Sequence, residues 1–331
     1  MWKQALSAVF LAAILTACGG QQDAAPSGQD DATEVKADDD RLEIAVIPKG
    51  LAHQFWLTVR AGAEEAGKEL GADIVWQGPP KETEITKQIN IMQDMISRGV
   101  DAIVLAACDE NALVQWIDNA MDEGIPVITI DSGVQSDRPL SFVATDNVAA
   151  AEMAAHKLAD LIGGSGKVGL IPFVKGAATS QRREEGFRLG IDQRFDVELA
   201  SVLYCDSDVA KAMNAADDMM TSHPDLKGIF AANEAAAIGA AQAIRVAGKA
   251  GDVKLVAFDA AEEEVNALKE GVIQALVVQS PFRMGYLGVE AAIKAIKGEE
   301  VEKRIDTGVT IVTQENLNTD EVQDLLYPLG E

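Results

Sequence analysis

"IAVIPKGLAHQFWLTVRAGAEEAGKELG", residues 44–71, opens with the apolar run Ile44-Ala45-Val46-Ile47 and passes into a long helical pattern. The run has the length and composition of a buried strand. Phe55, Val59, Ala63, Ala66 and Leu70 follow at the spacing of a core-facing helix side. Between strand and helix the chain gathers Lys49, His53, Phe55 and Trp56: a cation, an imidazole and two large rings within eight residues.

The same alternation continues. Apolar runs at 42–47, 73–76, 102–106 and 126–130 read as strands, with helical patterns near 53–70, 84–98 and 111–123 between them. The pattern then restarts, with strands near 167–172, 197–203, 228–231, 253–258 and 274–278 and helices near 147–162, 180–193, 208–221, 234–247 and 261–270. Repeated βαβ units make a parallel sheet covered by helices on both faces, so the expected fold is α/β with two doubly wound, Rossmann-like lobes. An internal echo supports the division: "DAIVLAACDENALV" (101–114) and "KGIFAANEAAAIGA" (227–240) both run from a buried strand through a short polar turn into a helix.

In open sheets of this kind ligands sit outside the carboxyl ends of the strands. The residues there are Lys49 to Trp56, Ala106 to Asp109, Asp131-Ser132, Phe173 to Arg183, Asn233-Glu234, Phe258-Asp259 and Gln279. Trp56 stands about 100° round the helix from Phe55, on the side of Arg60 and Gly67, which predicts an indole exposed to a cleft rather than packed on the sheet. An aromatic plane offers an apolar face to the C–H side of a sugar ring, whose hydroxyls then look for polar groups at its edge. Asp131 and Asp259 each end a strand and suit paired hydrogen bonds from hydroxyls; N-capping of the following helix is an equal reading of each.

The whole chain narrows the classes. Its 331 residues are 48% hydrophobic with mean hydropathy near zero, ample for a buried core. Asp and Glu exceed Lys and Arg by 53 to 28, and the net charge of −25 repels nucleic acid and anionic membrane surfaces. Lys3 precedes a 13-residue apolar run, Ala5 to Ala17, shorter than the roughly 20 residues of a spanning helix, so residues 1–17 read as a signal peptide. The run ends in Leu15-Thr16-Ala17-Cys18, which resembles a bacterial lipoprotein signal with Cys18 as the lipid-modified first residue. Residues 18–40, rich in Gln, Asp, Ala, Gly and Ser, read as a flexible leash. The expected location is therefore outside the cytoplasm, tethered to a membrane. Cys108 and Cys205 read as free thiols, although both follow strands near the cleft and an interlobe bridge would lock it. The histidines at 53, 156 and 223 fall in separate segments, so no metal site is expected. "GGSGKVG" (163–169) lacks Ser or Thr after Lys167 and precedes a strand, so it reads as a turn and not a phosphate loop.

"IAVIPKGLAHQFWLTVRAGAEEAGKELG", "GIPVITIDS", "VATDN", "RREEGF", "GIFAANEAAAIGAAQAI", "LVAFDA" and "ALVVQSPFRMGYLGVEA", in this order from Arg41 to about Thr313, resemble the periplasmic sugar-binding proteins of the ribose-binding type, the solute receptors of ABC importers. The resemblance implies two lobes, 41–145 plus 280–308 and 146–279 plus 309–331, joined by crossovers near Thr145-Asp146, Gln279-Ser280 and Gly308. It implies that the helix 281–298 returns to the first lobe, and that Phe55 and Trp56 stack on the sugar while Asp131, Arg183, Asn233 and Asp259 hold its hydroxyls beside Phe258 and Gln279. It also implies no catalysis, no cofactor, a membrane permease as partner and a monomeric receptor. The departures are Lys49 for Ser, His53 for Asn, Ala106 for Asn, Ser132 for Arg, and no aromatic in Cys205-Asp206-Ser207, which together argue against ribose itself. Lys49 and His53 make the rim cationic at a helix N-terminus, which suits an anionic ligand such as a sugar acid or, equally, a cleft carboxylate as partner of Lys49.

Other classes fit less well. A glycosidase would use Asp131 and Asp259 as acid and base, but carboxylates on two mobile lobes are a poor catalytic frame. A sugar-responsive repressor shares the two-lobe core but needs a basic helix-turn-helix segment, which residues 1–40 do not contain. A receptor that presents its ligand to a membrane sensor keeps the fold and changes the partner.

Overall fold

The computed structural model describes residues 41–328 and 330. The signal peptide, the lipid-accepting Cys18 and the 18–40 leash of the sequence reading lie outside the described residues.

The first sheet is laid down by β1 (Leu42–Ile47), α1 (Gln54–Leu70), β2 (Ala72–Trp76), α2 (Ile85–Arg98), β3 (Ala102–Leu105), α3 (Val114–Asp122), β4 (Val127–Ile130) and β5 (Ser141–Ala144). The second follows through α4 (Asn147–Leu161), β6 (Gly166–Ile171), α5 (Ala178–Asp192), β7 (Val197–Val202), α6 (Val209–Ser222), β8 (Leu226–Ala231), α7 (Glu234–Val246), β9 (Lys254–Phe258), α8 (Glu262–Lys269) and β10 (Ala275–Val278). The chain ends with α9 (Pro281–Ile296), β11 (Arg304–Asp306), β12 (Thr310–Val312) and α10 (Asp320–Leu326).

The sheets have six strands each and matching orders, β11-β5-β4-β3-β1-β2 and β12-β10-β9-β8-β6-β7. All recorded pairings are parallel except that of β10 with β12. Parallel strands covered on both faces must be apolar on both, and Ile44 to Ile47 are all fully buried. Their alternation splits the first core in two: Ala45 and Ile47 pack with Met92, Met95 and Ile117 on one face, Ile44 and Val46 with Trp56, Val59 and Val289 on the other.

Each lobe also lends a helix to the other. After β5 the chain crosses and α4 packs on α5; after β10 it crosses back and α9 packs on α1. The α1–α9 crossing is close because glycine faces backbone on both sides: a Cβ on Gly62 would lie 1.9 Å from the Phe282 carbonyl oxygen, and one on Gly285 2.0 Å from that of Val59. This packing corrects the helical stripe expected from the sequence. The buried residues of α1 are Trp56, Val59, Gly62, Ala63, Ala66 and Gly67, while Phe55 is only partly buried and Leu70 is 38% exposed. With the sheet on one side and α9 on the other, the buried arc is wider than one stripe, and Trp56 is covered besides by Glu82 and Lys49 at the end of the helix.

β5, β11, β12 and α10 were not expected. β5 follows β4 with no helix between, β11 and β12 are three residues each, and the seven residues of α10 are too few to display a helical period.

Candidate ligand-binding cleft

The two sheets present their carboxyl ends to one another, and residues from both close around a small cavity lined by Lys49, His53, Phe55, Trp56, Glu82 and Asp131 from the first lobe and Phe173, Arg183, Asn233, Glu234, Asp259 and Gln279 from the second side. Nine of the ten ligand contacts expected from the sequence are in this lining. The tenth, Phe258, lies under it: the Arg183 guanidinium stacks 3.6 Å from its ring centroid. Trp56 is a cavity wall but not an exposed one; its relative exposure is 1%, and its ring meets Phe55 edge-on at 4.9 Å.

Asp131 ends β4 and Asp259 ends β9, and both hold left-handed backbone at φ 52° and 86°, a conformation that non-glycine residues adopt when their surroundings demand it. Neither caps the helix that follows it. Asp131 forms an ion pair with Lys49 at 2.9 Å, and its Oδ2 has no partner in hydrogen-bond geometry beyond that contact. Asp259 accepts from Gln279 Nε2 at 2.7 Å and from the backbone N–H of Glu234, at the start of α7, at 3.0 Å. Burial raises the Asp259 pKa, with Arg183 pulling the other way.

The cations are spoken for. Lys49 donates across the gap to Thr179 Oγ1 at 2.9 Å and stands 5.6 and 5.4 Å from the ring centroids of Trp56 and Phe173. Burial works against its charge, but Asp131 and then Glu82 override this, and its pKa rises. Burial likewise opposes the His53 imidazolium, yet Glu82, 3.7 Å from Nδ1, together with Glu234 and Asp259, raises its pKa to about 9. Arg183 donates to Asn147 Oδ1 at 2.8 Å and to the Ala232 carbonyl at 2.7 Å, with burial lowering its pKa. Lys49, His53 and Arg183 thus face Glu82, Asp131, Glu234 and Asp259, and the lining has no surplus positive charge. The cationic rim read from the sequence is a set of internal pairs.

Three residues of the lining were not among the ten expected contacts: Phe173 and Glu234, named only within strand-end stretches, and Glu82, which none of those stretches included. Glu234 sends both carboxylate oxygens to the first lobe, accepting from the backbone N–H groups of Gln54 and Phe55 at 3.0 Å each, the N-terminus of α1. Glu82 lies between β2 and α2, six residues past the strand end; extending the strand-end rule to β2, which neighbours β1, would have included it. Cys108 and Cys205 are free and buried, and burial raises both thiol pKa values, that of Cys205 to about 11, so no bridge locks the lobes.

The enclosed space is about 20 Å³, room for one water. A larger hollow of about 440 Å³ opens on the crossover side, lined among others by Asp131, Phe142, Thr145, Thr179 and Arg304. Asp131 borders both, and Lys49 with its bond to Thr179 stands at the division. The smaller space is the chemically furnished one, because the rings, the carboxylates and the stacked guanidinium converge there.

Comparison with known proteins is consistent with this architecture. The profile of the periplasmic binding protein domain matches residues 44–300. The ribose import binding protein of Bacillus subtilis is 30% identical over 94% of this chain and 99% of its own length. An ABC transporter solute-binding protein from Agrobacterium vitis, solved with bound D-fucose, is 39% identical, superposes with a TM-score of 0.84 and covers 86% of this chain and 100% of its own. A carbohydrate transporter solute-binding protein from Agrobacterium radiobacter in complex with D-arabinose is 33% identical, with a TM-score of 0.85 over 87% of this chain and 99% of its own.

Proposed function

Because this chain belongs to the periplasmic binding protein family, as a member of its ribose-binding type of non-enzymatic, extracytoplasmic receptors for ABC importers, we propose that it captures a neutral monosaccharide in the cleft between its lobes and delivers it to a membrane permease. The observation that carries this reading is the convergence of Trp56 and Asp131 from one lobe with Arg183, Asn233 and Asp259 from the other on one buried space. Phe55 and Trp56 supply the apolar face, and the carboxylates, guanidinium and amides supply fixed hydrogen-bond partners for hydroxyls. Hydrogen bonds to charged groups contribute about 1.5–3 kcal/mol each, so a few with one stacked ring reach micromolar affinity, about −8 kcal/mol.

Neutral sugars are favoured over sugar acids because Lys49 and His53 already have carboxylate partners. An added anion would face the buried carboxylates of Glu82, Asp131, Glu234 and Asp259. The aldoses named for the related proteins, ribose, D-fucose and D-arabinose, are also neutral. Ligand entry requires the lobes to part, breaking Lys49–Thr179 and Glu234–α1, and reclosure around the sugar is the hinge motion that the permease reads. The lobe boundaries at 145–146, 279–280 and 308, and a lipid anchor on Cys18 after removal of residues 1–17, belong to the same proposal.

Calorimetry with D-ribose, D-fucose and D-arabinose, each beside its aldonic acid, tests the reading. At least one neutral aldose is expected to bind at micromolar strength and, at about 100–1,000 times its dissociation constant, to raise stability by about 3–4 kcal/mol. Tighter binding of the acids than of every neutral sugar would overturn it. For the anchor, Cys18→Ala is expected to move the protein from the membrane to the soluble fraction.

A further inference from the structure

Glu82 is buried at 6% exposure and joins groups from both lobes. Its Oε1 accepts the indole N–H of Trp56 at 2.9 Å and stands 3.7 Å from His53 Nδ1. Its Oε2 accepts the hydroxyl of Ser207, from the opposite lobe, at 2.7 Å. Ser207 Oγ in turn accepts from Asn233 Nδ2 at 2.7 Å, while Asn233 Oδ1 is taken by the backbone N–H of Ala236 in α7. The direction of this chain is forced: an ionised carboxylate only accepts, so Ser207 donates to Glu82 and keeps a lone pair for the Asn233 amide, whose second hydrogen is left for the cavity. The backbone supports the arrangement, because Asp206 and Ser207 are consecutive non-glycine residues in left-handed conformation, at φ 52° and 55°.

We propose that Glu82 is a positioning residue for ligand capture, tying the Trp56 ring of the first lobe to the Ser207–Asn233 pair of the second so that ring wall and amide are aligned only when the cleft is closed. Glu82 acts through the groups it holds, its Oε1 taken by Trp56 and its Oε2 by Ser207. It holds the indole plane, it fixes which way the Asn233 amide faces, and its bond to Ser207 exists only in the closed arrangement, so opening releases both halves of the subsite together. Burial disfavours its charge, but Lys49 and then His53 reverse this and hold its pKa well below the usual carboxylate range, so it remains an acceptor throughout the physiological range. The consequence for capture rests on the reading above; the bridge itself does not.

The test uses the mature protein with Glu82→Gln, Ser207→Ala, the double variant and Ser207→Gly, with circular dichroism to verify folding. Against D-ribose, D-fucose and D-arabinose, each single variant is expected to weaken binding by about tenfold or more, the loss of one hydrogen bond to a charged group. The double variant should be no weaker than the poorer single within about twofold, because both remove one shared bridge. Ser207→Gly, which removes the hydroxyl but suits the left-handed backbone, should weaken binding as Ser207→Ala does. In the ligand-free protein, the His53 imidazole followed by NMR should titrate near pH 9 and fall further in Glu82→Gln than in Ser207→Ala, while small-angle scattering should show a larger radius of gyration for both variants. Wild-type binding by Glu82→Gln, additive losses, or an unchanged His53 midpoint overturns the proposal. If no sugar binds even the wild type, the capture reading fails, and the ligand-free titration and scattering still decide the bridge: an unchanged midpoint or radius refutes it.

Discussion

Asp131 and Asp259 occupy the same slot in the two lobes, at the ends of β4 and β9, third from the outer edge of sheets with matching strand order. Both are buried and both hold left-handed backbone. The first lobe neutralises its aspartate with a full charge, because the turn after β1 reads Ile47-Pro48-Lys49 and delivers an ammonium to Asp131. At the corresponding turn after β6 the second lobe reads Ile171-Pro172-Phe173, so Asp259 is held by the Gln279 amide and the Glu234 N–H, with the cation supplied by Arg183 of α5 stacked on Phe258. One topological slot thus admits two electrostatic solutions, and a single residue after the first strand of each lobe selects between them.

The comparison can be broken most severely at Lys49. Lys49→Met leaves Asp131 buried without its ion pair, and removing one partner of such a pair costs about 3–5 kcal/mol. Urea unfolding at neutral pH should show that loss; a change below about 1 kcal/mol would mean that the ion pair does not hold Asp131 as described.

Second in size is a pH window belonging to His53. Its folded pKa of about 9 lies above the unfolded value near 6.5, so its contribution is complete below about pH 6.5 and disappears as pH rises through about 9. The loss across that window is on the order of 3 kcal/mol, and His53→Asn should flatten it. Unfolding curves from pH 6 to pH 10 measure it directly.

Asp259→Asn sharpens the contrast from the other side. It exchanges hydrogen-bond acceptors without stripping a direct ion pair, so the expected destabilisation is about 1–3 kcal/mol, below that of Lys49→Met. An equal or larger loss would mean that Arg183 is as tightly coupled to Asp259 as Lys49 is to Asp131. The smallest effect is expected for Glu234→Gln, which removes a charge from the N-terminus of α1 while keeping an acceptor, at about 1 kcal/mol, with a shift of the ligand-free protein toward open forms in scattering.

The echo between 101–114 and 227–240 maps strand for strand onto β3 and β8, and the strand-end rule led to nearly the whole lining because parallel sheets always gather their carboxyl ends on one side. Trp56 was misplaced for a different reason. Its burial depends on groups outside its own helix: Glu82 takes the indole N–H, Lys49 stands over the ring, and residues of the other lobe close the cavity that it walls. Glu82 was illegible for a similar reason, since it is defined by partners in distant segments, whereas a cleft carboxylate as partner of Lys49 was one of two readings of the sequence and the structure selects it as Asp131.

Local sequence determined the βαβ rhythm, the division into two lobes and the set of residues at the strand ends, because strand and helix periods and the turn positions between them are properties of neighbouring residues. Which cation meets which carboxylate, which ring is covered and which side chains bridge the lobes were decided only by the tertiary structure, because burial and charge compensation depend on what the rest of the chain brings within a few ångströms.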